Sequence, residues 1–132
     1  MNGLKTRVLI VDDERDLAWM LKLNLERTTG YDVLIETNPL AAVETARTFL
    51  PDVVLLDLIM PQCSGGGLAT QIATALQPRT VRVVFLTAAL PATRTEDAVS
   101  RTFAGYPFLS KPVTTPQLLN CLSAAAASIA AA

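Results

Sequence analysis

Five polar residues stand where apolar runs end. Asp12 and Asp13 follow RVLIV, Asp57 closes VVLLD, Thr87 closes VVFLT, and Lys111 follows PFLS. Acids gathered at one place repel, and one pKa climbs steeply unless a cation intervenes. If these three acids meet, Lys111 can neutralise one charge and a divalent ion the rest. Hard oxygen ligands suit Mg²⁺, which keeps several waters and takes one or two carboxylates. Asp12 and Asp13 then read as a metal seat, and Asp57 beside it as an acceptor of a phosphoryl group. Thr87 and Lys111 read as groups that bind the phosphoryl oxygens.

Those residues meet only if strands carry them to one edge. Apolar, β-branched runs at Arg7–Val11, Asp32–Glu36, Asp52–Leu56 and Val81–Leu86 predict four strands, and Pro107–Ser110 a weaker fifth. The charged ends of the second suggest an edge strand. Between the runs lie helical patterns. Leu17, Met20, Leu21 and Leu25 share one face of a first helix. Asn38-Pro39 supplies a cap and a first helical residue for a second helix, toward Phe49. A third runs from about Gly66 to Leu76, before Pro78. A fourth covers roughly Ala92–Phe103 and ends near Gly105. Thr115-Pro116 opens the last, with Leu118, Leu122 and Ile129 on its buried stripe. Five βα units imply an α/β fold: a doubly wound parallel sheet with helices on both faces. In such sheets ligands sit beyond the carboxyl ends of the strands.

Composition narrows the function. The chain has 132 residues, 51% of them hydrophobic, the size and apolar content of one domain with a full core. We expect a single domain over 1–132, with a core at about 5–123 and an Ala-rich helix end at 124–132. Net charge is −1, with 11 basic and 12 acidic residues and no long basic run, so no direct nucleic-acid contact is expected. No 18-residue apolar stretch exists and Met1–Arg7 has no apolar segment, so no membrane contact and a cytoplasmic location are expected. Cys63 and Cys121 read as free thiols. There is no histidine, which excludes Ser-His-Asp chemistry and His-ligated zinc.

The ordered set VDDE (Val11–Glu14), PDVVLLD (Pro51–Asp57), Met60-Pro61, Gly65, Thr87-Ala88 and Lys111-Pro112 resembles the receiver domain of bacterial two-component response regulators. The resemblance runs from about Arg7 to Leu122. It implies a flavodoxin-like (βα)5 fold with strand order 2-1-3-4-5. It implies Asp57 as phosphoacceptor, and Asp13, Asp57 and the Ile59 carbonyl as Mg²⁺ ligands, with Asp12 holding metal waters. Thr87 and Lys111 would bind phosphoryl oxygens, and the Lys111–Pro112 bond would be cis. Thr87 and Phe108 would form the switch, Phe108 standing where many relatives carry Tyr. The donor would be a phosphohistidine on a sensor histidine kinase or histidine phosphotransfer protein. Such a protein is a signalling switch that catalyses only its own phosphorylation and dephosphorylation, not a turnover enzyme.

Several features leave a choice. Trp19 and Leu23 lie off the Leu17/Leu21 stripe and read as partial packing or as a docking surface for the phosphodonor. No charged side chain occurs from Pro112 to Ala132. That helix reads as solvated, or as part of a homodimer face made with the fourth helix and fifth strand. Cys63 lies near the site without a clear redox role. Gly65-Gly66-Gly67 lacks a phosphate-loop frame, and Gly65 reads as a residue of unusual φ. Ile59 and Ala89 cannot orient water, which predicts a long-lived phosphorylated form. A phosphatase with an aspartate nucleophile would need D-x-D after strand one and a cap domain. The alternative within the family is a degenerate receiver, a phosphorylation-independent interaction module.

Overall fold

Apolar runs that alternate with amphipathic helices become strands covered on both faces. The computed structural model describes residues 5–28, 30–60, 63–87, 102–103 and 106–131; the side chains of Ile59, Cys63, Thr87, Thr102, Phe103 and 128–131 lie outside that description. Five parallel strands form the sheet: β1 (Thr6–Val11), β2 (Tyr31–Glu36), β3 (Val53–Asp57), β4 (Arg82–Thr87) and β5 (Tyr106–Ser110). Their order is 2-1-3-4-5, as the resemblance implied, with β2 at an edge.

Thr102–Phe103 adds a two-residue antiparallel strand beyond β5, Thr102 opposite Pro107 and Phe103 opposite Tyr106. This corrects the helix expected over Ala92–Phe103 at its last two residues. A β-branched residue followed by an aromatic favours extended backbone beside an open strand. The rest of that helix, with Ala89, lies outside the described residues.

The helices are α1 (Arg15–Glu26), α2 (Ala42–Phe49), α3 (Gly65–Ala75) and α4 (Thr115–Ala131). In α1, Ala18, Leu21 and Leu25 are buried, but Met20 is 54% exposed, against expectation. Two residues from Ala18 turns Met20 to the opposite side of the helix. Asn38 caps a short 3₁₀ turn, Pro39–Ala41, that leads into α2, its Oδ1 accepting from the Leu40 amide at 3.0 Å. The last helix is capped by Thr114 rather than Thr115. The Thr114 hydroxyl accepts from the Gln117 amide at 3.2 Å, and the Gln117 side chain accepts from the Thr114 amide at 2.9 Å. A polar residue three positions on completes this reciprocal pair, and Gln117 stands at that distance from Thr114.

Alternation along the strands splits the core. Leu9, Val11, Val54, Leu56, Val83 and Phe85 face α2 and α3. Val8, Ile10, Val53, Leu55, Val84 and Leu86 face α1 and α4, where Leu118 and Leu122 are buried. Every residue of β3 is buried, so its terminal acid emerges from the most enclosed strand.

At the amino end of the sheet Asp52 ties three strands together. Its Oδ2 accepts from the Arg7 amide at 2.9 Å, its own amide donates to the Arg7 carbonyl at 2.8 Å, and its carbonyl accepts from the Arg82 amide at 3.0 Å. Arg79 donates to Asp52 Oδ1 at 3.1 Å.

Candidate functional site

β1 and β3 are neighbours in the sheet and β5 lies one strand beyond β3, so the residues at their carboxyl ends share one edge. Asp12 follows β1 directly, and its amide extends the ladder by donating to the Glu36 carbonyl at 3.2 Å. Its side chain is 1% exposed. Asp57 is the last residue of β3 and is 6% exposed. Asp13 is exposed. One carboxylate oxygen from each of Asp12, Asp13 and Asp57 lies within 4.8 Å of the others. That donor set of hard oxygens, two buried and one open to water, could hold a hard divalent cation.

Lys111 reaches over the group from the end of β5. Its Nζ lies 3.0 Å from Asp12 Oδ2, 2.9 Å from Glu14 Oε1 and 3.5 Å from Asp57 Oδ2. Burial opposes the ammonium, but the bonds to Glu14 and Asp12 and the charges of Asp12 and Asp57 outweigh it. The Lys111 pKa is raised in net. The Lys111–Pro112 peptide bond is cis.

Glu14 had no role in the sequence reading. Its amide donates to Asp12 Oδ1 at 2.9 Å, and its carboxylate shares Lys111. Its place in VDDE, two residues after a buried acid, was the available signal.

Other anticipated residues fall around this group. Ile59 begins a small antiparallel ribbon, Ile59–Met60 with Cys63–Ser64, just after Asp57. Thr87 ends β4 opposite Ser110. The side chains of Ile59, Cys63 and Thr87 lie outside the described residues. Phe108 is half-buried on β5, opposite Phe85 in register. Tyr106 instead packs edge-on against Phe85, with ring centroids 5.7 Å apart. Trp19 and Leu23 on α1 are 53% and 42% exposed. A groove of about 510 Å³ runs past Leu17, Met20, Lys111 and Val113.

Gly65 corrects an expectation. Among the described glycines only Gly30 has a positive φ, at 112°. Gly65 is needed instead for close approach to the backbone of Asp57 and Leu58.

Residues 8–123 match the family described as the response regulator receiver domain. The chain belongs to that family. This receiver is 37% identical over 62 residues to the alkaline phosphatase synthesis transcriptional regulatory protein PhoP of Bacillus subtilis, covering 47% of this chain and 25% of PhoP. It is 37% identical over 83 residues to the response regulator ArlR of Staphylococcus saprophyticus, covering 63% of this chain and 36% of ArlR. The receiver thus spans about a third or less of these longer proteins. Its fold is similar to a CheY-like response regulator receiver domain from Methanospirillum hungatei. The TM-score is 0.77 at 25% identity, over 96% of each chain. Among the described residues no helix is long and apolar enough to cross a membrane.

Proposed function

We propose that this receiver is a phosphorylation-dependent signalling switch that accepts a phosphoryl group on Asp57. The observation that carries this reading is the convergence of Asp12, Asp13 and Asp57, with the Lys111 ammonium between Asp12 and Asp57.

The donor set fits Mg²⁺, which Asp13, Asp57 and the Ile59 carbonyl would hold, with Asp12 within reach of its waters. The ion, when bound, offsets charge on the phosphoryl oxygens. Asp57 carboxylate attacks phosphorus as the bond to a donor imidazole nitrogen breaks; the imidazole keeps the electron pair and takes a proton from water. Lys111 is free to exchange one of its carboxylates for a phosphoryl oxygen. Its raised pKa keeps it charged for that exchange. The Thr87 hydroxyl binds another oxygen, and Phe108 reports the change through packing, having no hydroxyl of its own.

By the family likeness the donor is a phosphohistidine on a sensor kinase or phosphotransfer protein; this chain has no histidine of its own. The donor docks on α1, where Trp19 and Leu23 offer exposed apolar surface. The whole chain acts as one domain in the cytoplasm. A second copy of the chain pairs through the α4 and β5 side.

Intact mass after incubation with Mg²⁺ and acetyl phosphate tests the reading. One added phosphoryl group is expected, lost in Asp57→Ala and with chelator. No gain under saturating donor, with Mg²⁺ still binding, would point to an interaction module that works without phosphorylation.

A further inference from the structure

An ammonium carries three N–H donors and no acceptor. Lys111 spends them on three carboxylates: Glu14 at 2.9 Å, Asp12 at 3.0 Å and Asp57 at 3.5 Å. A phosphoryl oxygen that takes a place on Lys111 Nζ must displace one of these acids. The three do not leave at equal cost.

Asp12 is buried, and its second oxygen is fixed by the Glu14 amide at 2.9 Å. Taking the cation from a buried carboxylate leaves a charge uncompensated, which is strongly destabilising. Asp57 is the residue that would carry the phosphoryl group, so Lys111 stays beside it through the exchange. Glu14 differs from both. Its side chain is 62% exposed, so water takes back the carboxylate at little loss. Nor does that carboxylate hold up the helix. Glu14 stands at the N-cap of α1 with no side-chain cap bond, and its carbonyl accepts from the Ala18 amide at 3.0 Å.

We infer, on the reading of Asp57 as phosphoacceptor, that Glu14 is a positioning residue: it holds the Lys111 ammonium at rest and is the partner that Lys111 gives up when Asp57 is phosphorylated. Glu14 thereby sets a threshold. Its hold on Nζ competes with the phosphoryl oxygen, and the phosphorylated state forms at the expense of that bond. The hold is that of an ion pair open to water on one side. Its loss should favour the phosphoryl-bound state about two- to fivefold.

The test is a calorimetric titration of the full chain with beryllofluoride, a phosphoryl mimic, at saturating Mg²⁺. Glu14→Gln keeps the size and removes the charge, and should bind the mimic about two- to fivefold more tightly than the unaltered chain. Asp16→Asn removes the same charge from an exposed residue in the first turn of α1 that is not among the acids on Lys111, and should show no such gain. The second readout is the Lys111 ammonium itself, seen by nitrogen-15 NMR. The chain has three lysines, Lys5, Lys22 and Lys111, few enough to assign by substitution. Before beryllofluoride, Glu14→Gln should move the Lys111 signal. After it, the Lys111 signals of the variant and the unaltered chain should coincide, because Glu14 has been released in both. An unaltered chain that takes neither beryllofluoride nor a phosphoryl group from acetyl phosphate strikes the phosphoacceptor reading, and this inference with it. If the unaltered chain does take them, three results overturn the inference alone: no tighter binding in Glu14→Gln, an equal gain in Asp16→Asn, or Lys111 signals that stay apart after binding.

Discussion

Gly65 lies so close to Leu58 that a Cβ on Gly65 would stand 2.8 Å from the Leu58 Cα and 2.8 Å from its carbonyl oxygen. The Asp57 carbonyl oxygen would be 2.9 Å away. The Gly65 amide also donates to the Leu58 carbonyl at 3.2 Å. The start of α3 is thus pressed onto the backbone that carries Asp57. Gly65→Ala should cost about 1–3 kcal/mol, as overpacking against rigid backbone does. Urea unfolding would read it as a lower midpoint at unchanged slope. Phosphorylation by acetyl phosphate should slow in the same variant, because Asp57 must shift with Leu58.

Charge around Lys111 is unbalanced: Asp12, Asp13, Glu14 and Asp57 face one ammonium. Such repulsion is tolerated where a cation binds. Asp13→Asn should raise the stability of the metal-free protein by about 1 kcal/mol, the scale of one like-charge contact in water. Mg²⁺ should raise the melting temperature of the unaltered chain and do so far less in this variant. A variant that melts lower than the parent without Mg²⁺ would contradict the account.

Lys111→Met removes the cation that pairs, at 3.0 Å, with the Asp12 carboxylate, which is 1% exposed. Breaking a buried pair by deleting one member costs about 3–5 kcal/mol. The loss should be largest in chelator and partly restored by Mg²⁺, which differential scanning fluorimetry can follow.

Burial pushes the Cys121 thiol above its ordinary value, since α4 holds it against the core. The thiolate is the reactive form. Iodoacetamide should therefore label native Cys121 at pH 8 at least about tenfold more slowly than the urea-unfolded chain. The sign follows from the shift. The folded state favours the protonated thiol, so this group's contribution is full below the unfolded pKa and is lost as pH rises toward the folded one.

Ile59 and Ala89 stand two residues after Asp57 and Thr87 and bring no polar side chain. The aspartyl phosphate should persist for minutes or longer once the donor is removed. Ala89→Glu would supply a carboxylate able to orient water, and should shorten the lifetime by about tenfold, below the ~10²–10⁴-fold of a fully positioned general base. Decay followed by intact mass measures both.

The strands were legible because buried parallel strands leave unbroken apolar runs, and the acids and the lysine stand where those runs stop. Order came from the resemblance, not from the runs, since nothing local says which strands neighbour each other. Met20 was misassigned because an apolar residue does not declare its side of a helix when three neighbours are apolar too. Thr114 was passed over for Thr115 because either threonine could cap, and only the reach of Gln117 decides. Gly65 was ascribed to backbone φ because its true constraint is the Leu58 backbone, which sequence does not bring near. Glu14 was missed because its partner lies 97 residues away.

The Asp52 knot at the amino end has a mechanical meaning. It fastens β1, β3 and β4 through main-chain groups and one carboxylate, while Arg7 lies over the Phe49 ring at 4.4 Å. The opposite ends of β1 and β3 finish in acids that share the Lys111 ammonium, Asp12 at 3.0 Å and Asp57 at 3.5 Å. Main-chain bonds tie the strands at the amino end, whereas at the carboxyl end one nitrogen carries the balance of charge between β1, β3 and β5, so a charge added beside Asp57 is felt at Asp12.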